Sequence, residues 1–88
     1  MEICVEALKE DGIALRALRV LAGLSYTSTS YETLISVIKK TFGIKYSKDQ
    51  LLKSLQKAYD LRLLSEFSDS YVGVRDRYKK HLLEVIKI

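Results

Sequence analysis

The chain has 88 residues, of which 48% are hydrophobic, and its 15 basic and 11 acidic side chains give a formal net charge of +4. A chain of this length builds one hydrophobic core, so we expect a single domain over residues 1–88. The apolar content excludes intrinsic disorder, and no run approaches the ~20 apolar residues of a membrane span.

The first residues and the number of cysteines bear on signal-peptide processing and on the cellular compartment of the protein. Acidic side chains among residues 1–12 argue against a signal peptide, and the initial methionine suggests a complete gene product. Cys4 is the single cysteine, so an intramolecular disulfide is impossible and a reducing compartment is expected. We therefore expect a cytoplasmic protein, associated with the nucleoid if its modest positive charge serves nucleic-acid binding.

The N-terminal part of the chain combines an ambiguous segment with a clear helix. Residues 2–10 suit either a short helix or a strand, and Asp11-Gly12 interrupts the pattern. Residues 13–24 are strong helix formers in which only Arg16, Arg19 and Gly23 are not clearly apolar. Because these three share one narrow face, the pattern predicts a central core helix. Residues 25–30 form a polar, β-branched connector.

A second helix is predicted over about 30–41. Thr29 and Glu32 have the spacing of a capping box at its start, and Gly43 is a natural stop at its end. Lys39 and Lys40 lie on its polar side. Its apolar face consists of Tyr31, Leu34, Ile35, Ile38 and Phe42.

A third helix, over about 48–60, has the clearest start signal in the chain. Ser47 and Gln50 form a second capping box. Lys53 and Lys57 point away from the apolar side as a like-charged i,i+4 pair, which costs helix stability and therefore favours an anionic partner. The buried stripe is predicted to be Leu51, Leu52, Leu55, Ala58 and Tyr59.

The last third of the sequence predicts a hairpin and a C-terminal helix. Two apolar runs, 61–67 and 71–74, flank Ser68-Asp69-Ser70, a pattern typical of a β-hairpin. Asp76 is then expected to cap a helix over about 77–87. Its apolar stripe is Tyr78, Leu82, Val85 and Ile86. The segments 1–12 and 77–88 flank a core of about 13–75 and serve either packing within the chain or a two-fold homodimer.

These elements, mainly α with a small β-hairpin (an α+β class), resemble the winged-helix (winged helix-turn-helix) family of DNA-binding domains. The order is helix, extended connector, helix, turn, helix, hairpin, helix, and the local match lies in residues 50–67. That segment has a capped helix with leucines three or four apart, a short break and the pair Leu63-Leu64 opening the hairpin. One departure is Asp60-Leu61-Arg62 at the break, where the family usually has glycine or asparagine.

The resemblance implies a transcription regulator or chromatin-associated factor that contacts duplex DNA through its third helix. Lysines would neutralise phosphate while Gln50 and Ser54 read base edges, and the two arginines after the wing would reach flanking phosphate. The expected DNA-contacting residues are Lys39, Lys40, Lys48, Gln50, Lys53, Ser54, Lys57, Arg75 and Arg77.

The predicted wing also supports an alternative. Its tip carries Asp69, with Glu66 just before it, whereas a phosphate-facing wing is normally basic. The sequence therefore leaves open an accessory subunit or protein-protein adaptor of a larger DNA replication or transcription enzyme.

The six tyrosines and the single histidine are the remaining candidate functional residues. Three tyrosines fall on apolar helix faces and are expected in the core, namely Tyr31, Tyr59 and Tyr78. Three in connectors or the hairpin are freer to stack on bases, namely Tyr26, Tyr46 and Tyr71. His81 has no partner at a metal-ligand or nucleophile spacing, and no glycine-rich phosphate loop is present. We therefore expect no enzyme, no metal, no cofactor and no small-molecule ligand.

Overall fold

A computed structural model describes residues 11–24 and 28–86. The predicted element at 2–10, Cys4, Tyr26 and residues 87–88 lie outside the described residues. The elements follow in the predicted order: α1 (Gly12–Gly23), β1 (Thr29–Ser30), α2 (Tyr31–Phe42), α3 (Lys48–Asp60), β2 (Leu64–Phe67), β3 (Tyr71–Val74) and α4 (Asp76–Val85). The three strands form one antiparallel sheet in the order β1-β3-β2. Described residues are thus mainly helical with a small sheet, which confirms the α+β class.

Helix α1 is the centre of the core. It packs against α2, α3, α4 and β3, because small and branched apolar side chains cover most of its circumference: Ala14, Ala17, Leu18, Val20, Leu21 and Ala22 are buried. The helix begins one residue earlier than predicted, since the Asp11 carboxylate accepts a hydrogen bond from the Ala14 N–H at 3.1 Å and so caps the helix instead of interrupting it.

The start of α2 corrects the first predicted capping box. Thr29 is not the cap, because it pairs with Val72 in the sheet and is buried there. Ser30 takes that place, and its Oγ accepts a hydrogen bond from the Thr33 N–H at 3.3 Å. At the other end Gly43 has φ 72° and ends the helix as predicted.

Helix α3 has the predicted bounds, and both hydrogen bonds of its capping box are present. Ser47 Oγ accepts from the Gln50 N–H at 3.2 Å, and Gln50 Oε1 accepts from the Ser47 N–H at 2.9 Å. Helix α3 ends at Asp60, and Arg62, two residues later, has φ 62°. The Arg62 N–H donates to Tyr59 O at 2.9 Å, and the Leu63 N–H donates to Ala58 O at 3.0 Å, as in the common left-handed helix termination. Arg62 therefore occupies the kind of position where glycine is usual.

The sheet is shorter than predicted at one end. Strand β2 begins at Leu64 and not at Leu61, because residues 61–63 are used to end α3. Turn 68–70 joins β2 to β3, and Ser68 Oγ accepts hydrogen bonds from the Ser70 and Tyr71 N–H groups. The predicted hairpin is confirmed, with Leu64 and Val74 opposite each other and buried in the core.

Helix α4 packs on α1. The prediction that Asp76 caps it is wrong: Asp76 is the first helical residue, the N-cap position is Arg75, and no side chain caps the helix. Asp76 instead lies 3.1 Å from Lys79 Nζ, and its charge in the first turn still stabilises the helix N-terminus. The helix ends at Val85 and not at 87. None of the helices in the described ranges is long and apolar enough to cross a membrane.

Candidate nucleic-acid interface

The exposed side of α3 carries two of the predicted contact residues in an accessible position. Lys53 is exposed and, among residues 11–24 and 28–86, has no ion-pair or hydrogen-bond partner. Gln50 is exposed too, but its Oε1 is held by the Ser47 N–H. The amide NH₂ of Gln50, a hydrogen-bond donor, and the second lone pair of its Oε1 are therefore left for a partner.

Ser54 is not part of that exposed face. Only 6% of it is exposed, and its hydroxyl donates to Asp11 Oδ1 at 3.2 Å. At 100° per residue Ser54 lies about 40° from the buried Ala58, so α1 covers it. The prediction that Ser54 lies on the outward side of α3 is wrong.

Lys57 belongs to the same cluster of contacts as Ser54. Its Nζ lies 3.1 Å from Asp11 Oδ2, and the side chains of Lys57 and Asp11 are 61% and 15% exposed. Burial alone would raise the pKa of the Asp11 carboxyl, but hydrogen bonds from the Ala14 N–H, Lys57 and Ser54, together with the Lys57 charge, lower the pKa below its ordinary value of 3.8. Asp11 is thus ionised at neutral pH and compensates the charge of Lys57.

The remaining charges of this face are mixed. Asp49 and Asp60 are exposed on α3, within about 40° of Lys53 around the helix axis. Asp60 also accepts a hydrogen bond from Gln56 Nε2 at 3.0 Å. The two carboxylates lie in the first and last turns of α3, so the exposed side of the helix carries charges of both signs.

Lysines gather at the N-terminal end of α3 and the turn before it. Lys45 and Lys48 are exposed, and Lys48 Nζ lies 5.6 Å from the centroid of the Tyr31 ring, a cation–π distance. Lys39 and Lys40 are exposed in the last turn of α2, where they also complement the helix dipole.

Arginines gather at the opposite end of α3. Arg75 Nε donates to the backbone carbonyl of Arg62 at 3.1 Å, which places the Arg75 side chain against the Arg62 backbone. Arg77 follows, with Nη2 3.2 Å from the Tyr78 hydroxyl and the guanidinium 4.9 Å from the Tyr78 ring centroid. All three arginines are exposed. Arg62 was missed from the sequence, because its place beside Arg75 depends on the left-handed turn that ends α3.

The hairpin tip is acidic and fixed in place. Glu66 and Asp69 are exposed. The Tyr31 hydroxyl donates to Ser68 O at 2.7 Å and so ties the tip to α2. Burial, with a smaller contribution from the charge of Asp69, raises the pKa of Tyr31 to about 12, so this hydroxyl remains a donor at neutral pH.

The tyrosines divide differently from the prediction. Tyr31 and Tyr78 lie in the core as expected. Tyr59 does not: it is 48% exposed and stacks on Phe67 with ring centroids 5.2 Å apart, because it lies at the margin of the apolar stripe. Tyr46, expected to be free, is buried and accepts a hydrogen bond from Arg16 Nη1 at 3.0 Å. Tyr71 is exposed as expected.

The apolar stripe of α4 leaves little surface for a dimer. Tyr78, Leu82 and Ile86 are buried in the core of the chain itself, and Val85 alone of the four predicted dimer residues is exposed. Leu83 is the other exposed apolar side chain of α4. Packing within the chain therefore accounts for most of the stripe.

Possible metal ligands and similarity to known proteins are the last two features that bear on function. No three His, Cys, Asp or Glu side chains of the described residues are grouped closely enough to hold a metal ion. No protein-family model, curated protein or solved structure matches the chain significantly.

Proposed function

We propose that the chain is a winged-helix domain that binds duplex DNA through α3. The order of elements and the β1-β3-β2 sheet support this proposal, because the hairpin follows a third helix that is capped and partly exposed. That order is the arrangement which the resemblance implies.

The observation that carries the proposal is the distribution of charge along α3. The helix has 13 residues and is therefore about 20 Å long, which exceeds the ~12 Å width of the major groove. A helix lying across that groove meets phosphates near its two ends. Lys45 and Lys48 stand at one end of α3, and Arg62 and Arg75 stand at the other, with Arg77 two residues further along the chain.

The mixed charge of the exposed side of α3 suits base edges better than phosphates. Lys53 and the Gln50 amide supply donors, which guanine and adenine accept in the major groove. Asp49 and Asp60 supply acceptors, and carboxylates accept hydrogen bonds from the cytosine N4 amino group. A carboxylate is repelled by phosphate, so this part of the helix contributes sequence preference and little affinity.

Binding is expected to be moderate and dependent on salt. Five cations at the ends of α3 would displace counterions from about five phosphates, which gives a log–log salt slope of about −4.5. The acidic hairpin tip adds nothing to this slope, since Glu66 and Asp69 do not neutralise phosphate.

The test is a fluorescence anisotropy titration of a mixed-sequence duplex at several salt concentrations. Lys48→Gln and Arg77→Gln, at opposite ends of α3, should each reduce the slope by about 1. The control Lys80→Gln removes an exposed charge of α4 and should leave the slope unchanged. Equal effects of all three variants, or no binding of the wild-type chain at low salt, would refute the proposal.

Sequence preference is tested separately with Gln50→Glu. A glutamate at this position preserves the acceptor of the capping box but removes the amide donor. We expect a changed preference among duplexes with an unchanged free energy of unfolding, to within about 0.5 kcal/mol. An unchanged preference would remove Gln50 from the interface.

A further inference from the structure

A groove between α1 and α2 is lined by none of the residues proposed to contact DNA. Its volume is about 240 Å³, and its apolar lining consists of Val20, Leu24, Val37 and Phe42. This is below the 300–1,000 Å³ of typical small-molecule sites. The groove therefore suits one or two inserted side chains better than a cofactor.

A guanidinium with no partner among residues 11–24 and 28–86 lies in this groove. Arg19 lines it and is only partly exposed, yet it makes no hydrogen bond or ion pair with any described residue. A Cβ at position 23 would lie 3.4 Å from Arg19 Nη1, so the guanidinium lies close to Gly23. A half-buried cation gains more from a carboxylate partner than a fully solvated one does.

The surroundings of the groove are basic as well. Arg16 lies 6.0 Å from the centroid of the Phe42 ring, which puts a second guanidinium at one end. Lys40 is exposed beside Thr41, which also lines the groove. No carboxylate of the described residues lines it, and Glu32, the acid of α2, is turned about 140° around the helix from Val37.

We propose that this groove binds an acidic segment of a partner protein, with a large apolar side chain inserted between α1 and α2 and a neighbouring carboxylate paired with Arg19. The apolar lining buries the inserted side chain, and the cations Arg16, Arg19 and Lys40 favour a negatively charged segment. Such a site gives the chain a protein-docking surface beyond the proposed DNA contacts.

The experiment is an NMR titration of the ¹⁵N-labelled full chain with two blocked heptapeptides. One contains glutamate around a Leu-Phe pair, and the other has lysine in place of each glutamate. We expect saturable amide shifts centred on Gly23 and Thr41 with the acidic peptide alone. Arg19→Gln should weaken the affinity about threefold to fivefold, the size of one partly exposed ion pair.

A second variant and a control separate charge selection from general attraction. Thr41 is exposed, so Thr41→Glu places a competing carboxylate in the groove without disturbing the core and should abolish binding. Lys80→Gln should bind the acidic peptide like the wild-type chain. The proposal is overturned if both peptides bind equally or if the shifts lie elsewhere. It is also overturned if duplex DNA displaces the acidic peptide, or if the Gly23 and Thr41 shifts follow protein concentration without peptide, which would indicate a second copy of the chain.

Discussion

Replacement of Asp11 by asparagine tests the contact between α1 and α3 most directly. Its two carboxylate oxygens accept three hydrogen bonds, from the Ala14 N–H, the Ser54 hydroxyl and the Lys57 ammonium. Asparagine keeps one acceptor oxygen and is as good an N-cap as aspartate. What Asp11→Asn removes is therefore charge, while the cap and the Ser54 contact survive.

The expected loss follows from the two charge contributions. The ion pair with Lys57 is partly exposed and contributes about 0.5 kcal/mol, and a negative charge at the start of α1 contributes a further ~0.5 kcal/mol. Asp11→Asn should therefore lower the free energy of unfolding by about 1 kcal/mol, or the Tm by about 4–8 °C. Asp11→Ala also removes the cap and leaves the buried Ser54 hydroxyl without its acceptor, so its cost should be about 3 kcal/mol.

Urea denaturation at several pH values is the assay. Because the native-state pKa of Asp11 is lowered, the stabilisation by its charge is present above pH 4 and is lost as the pH falls through the native pKa. The difference between wild type and Asp11→Asn should therefore shrink as the pH falls through the lowered native pKa of Asp11. Asp60→Asn, an equal charge change at the C-terminal end of α3, should stay within about 0.5 kcal/mol of the wild type. A difference that does not change with pH, or no difference at pH 7, contradicts the reasoning.

Three further predictions concern the helix ends and the hairpin tip. Arg62→Gly should raise the free energy of unfolding by about 0.5–1 kcal/mol, because glycine adopts φ 62° without strain, and a urea midpoint lower than that of the wild type would contradict it. Ser30→Ala and Ser47→Ala should each cost about 1 kcal/mol in the same assay; no loss from Ser30→Ala would contradict its assignment as the cap of α2. Tyr31→Phe should cost about 1 kcal/mol and abolish a phenol titration near pH 12 in the ultraviolet spectrum; since the native pKa is raised, this hydroxyl stabilises the fold below pH 10 and ceases to do so as the pH rises through 12.

The sequence predicts best what local chemistry decides. The bounds of α3 follow from Ser47 and Gln50 because both partners of the capping box lie within one turn of helix. Gly43 ends α2 for a similarly local reason. The apolar periodicity of residues 13–24 sufficed to predict a central helix, since a helix that is apolar on nearly all sides has to be surrounded.

Prediction failed where a distant strand or helix competes for a residue. Thr29 and Ser30 are equivalent as caps in the sequence, and only the pairing of Thr29 with Val72 in β3 decides between them. Ser54 has a polar side chain on what looks like the exposed side of α3, yet Asp11, 43 residues away, accepts its hydrogen bond and buries it. No local pattern carries that information.

The candidate site was predicted in outline and not in its detail. Exposed lysines on α2 and α3 follow from helical periodicity alone. The pairing of Arg62 with Arg75 requires the left-handed turn after α3, and sequence reasoning assigned residues 61–63 to a strand. The compensation of Lys57 by Asp11 is likewise invisible in the spacing of the lysines, which suggested two unpaired charges.

The contact between Asp11 and Lys57 stabilises the fold but is expected to weaken DNA binding. The same carboxylate that stabilises α1 holds a lysine which would otherwise be available to phosphate. If α3 contacts DNA, Asp11→Asn should destabilise the fold and yet increase duplex affinity, with a salt slope steeper by about 1. The gain should vanish in an Asp11→Asn/Lys57→Gln double variant, because the cycle isolates the pair from the general change in net charge. A gain that survives without Lys57 would mean that Asp11 acts through net charge alone, and the two helices would then be coupled in folding but not in binding.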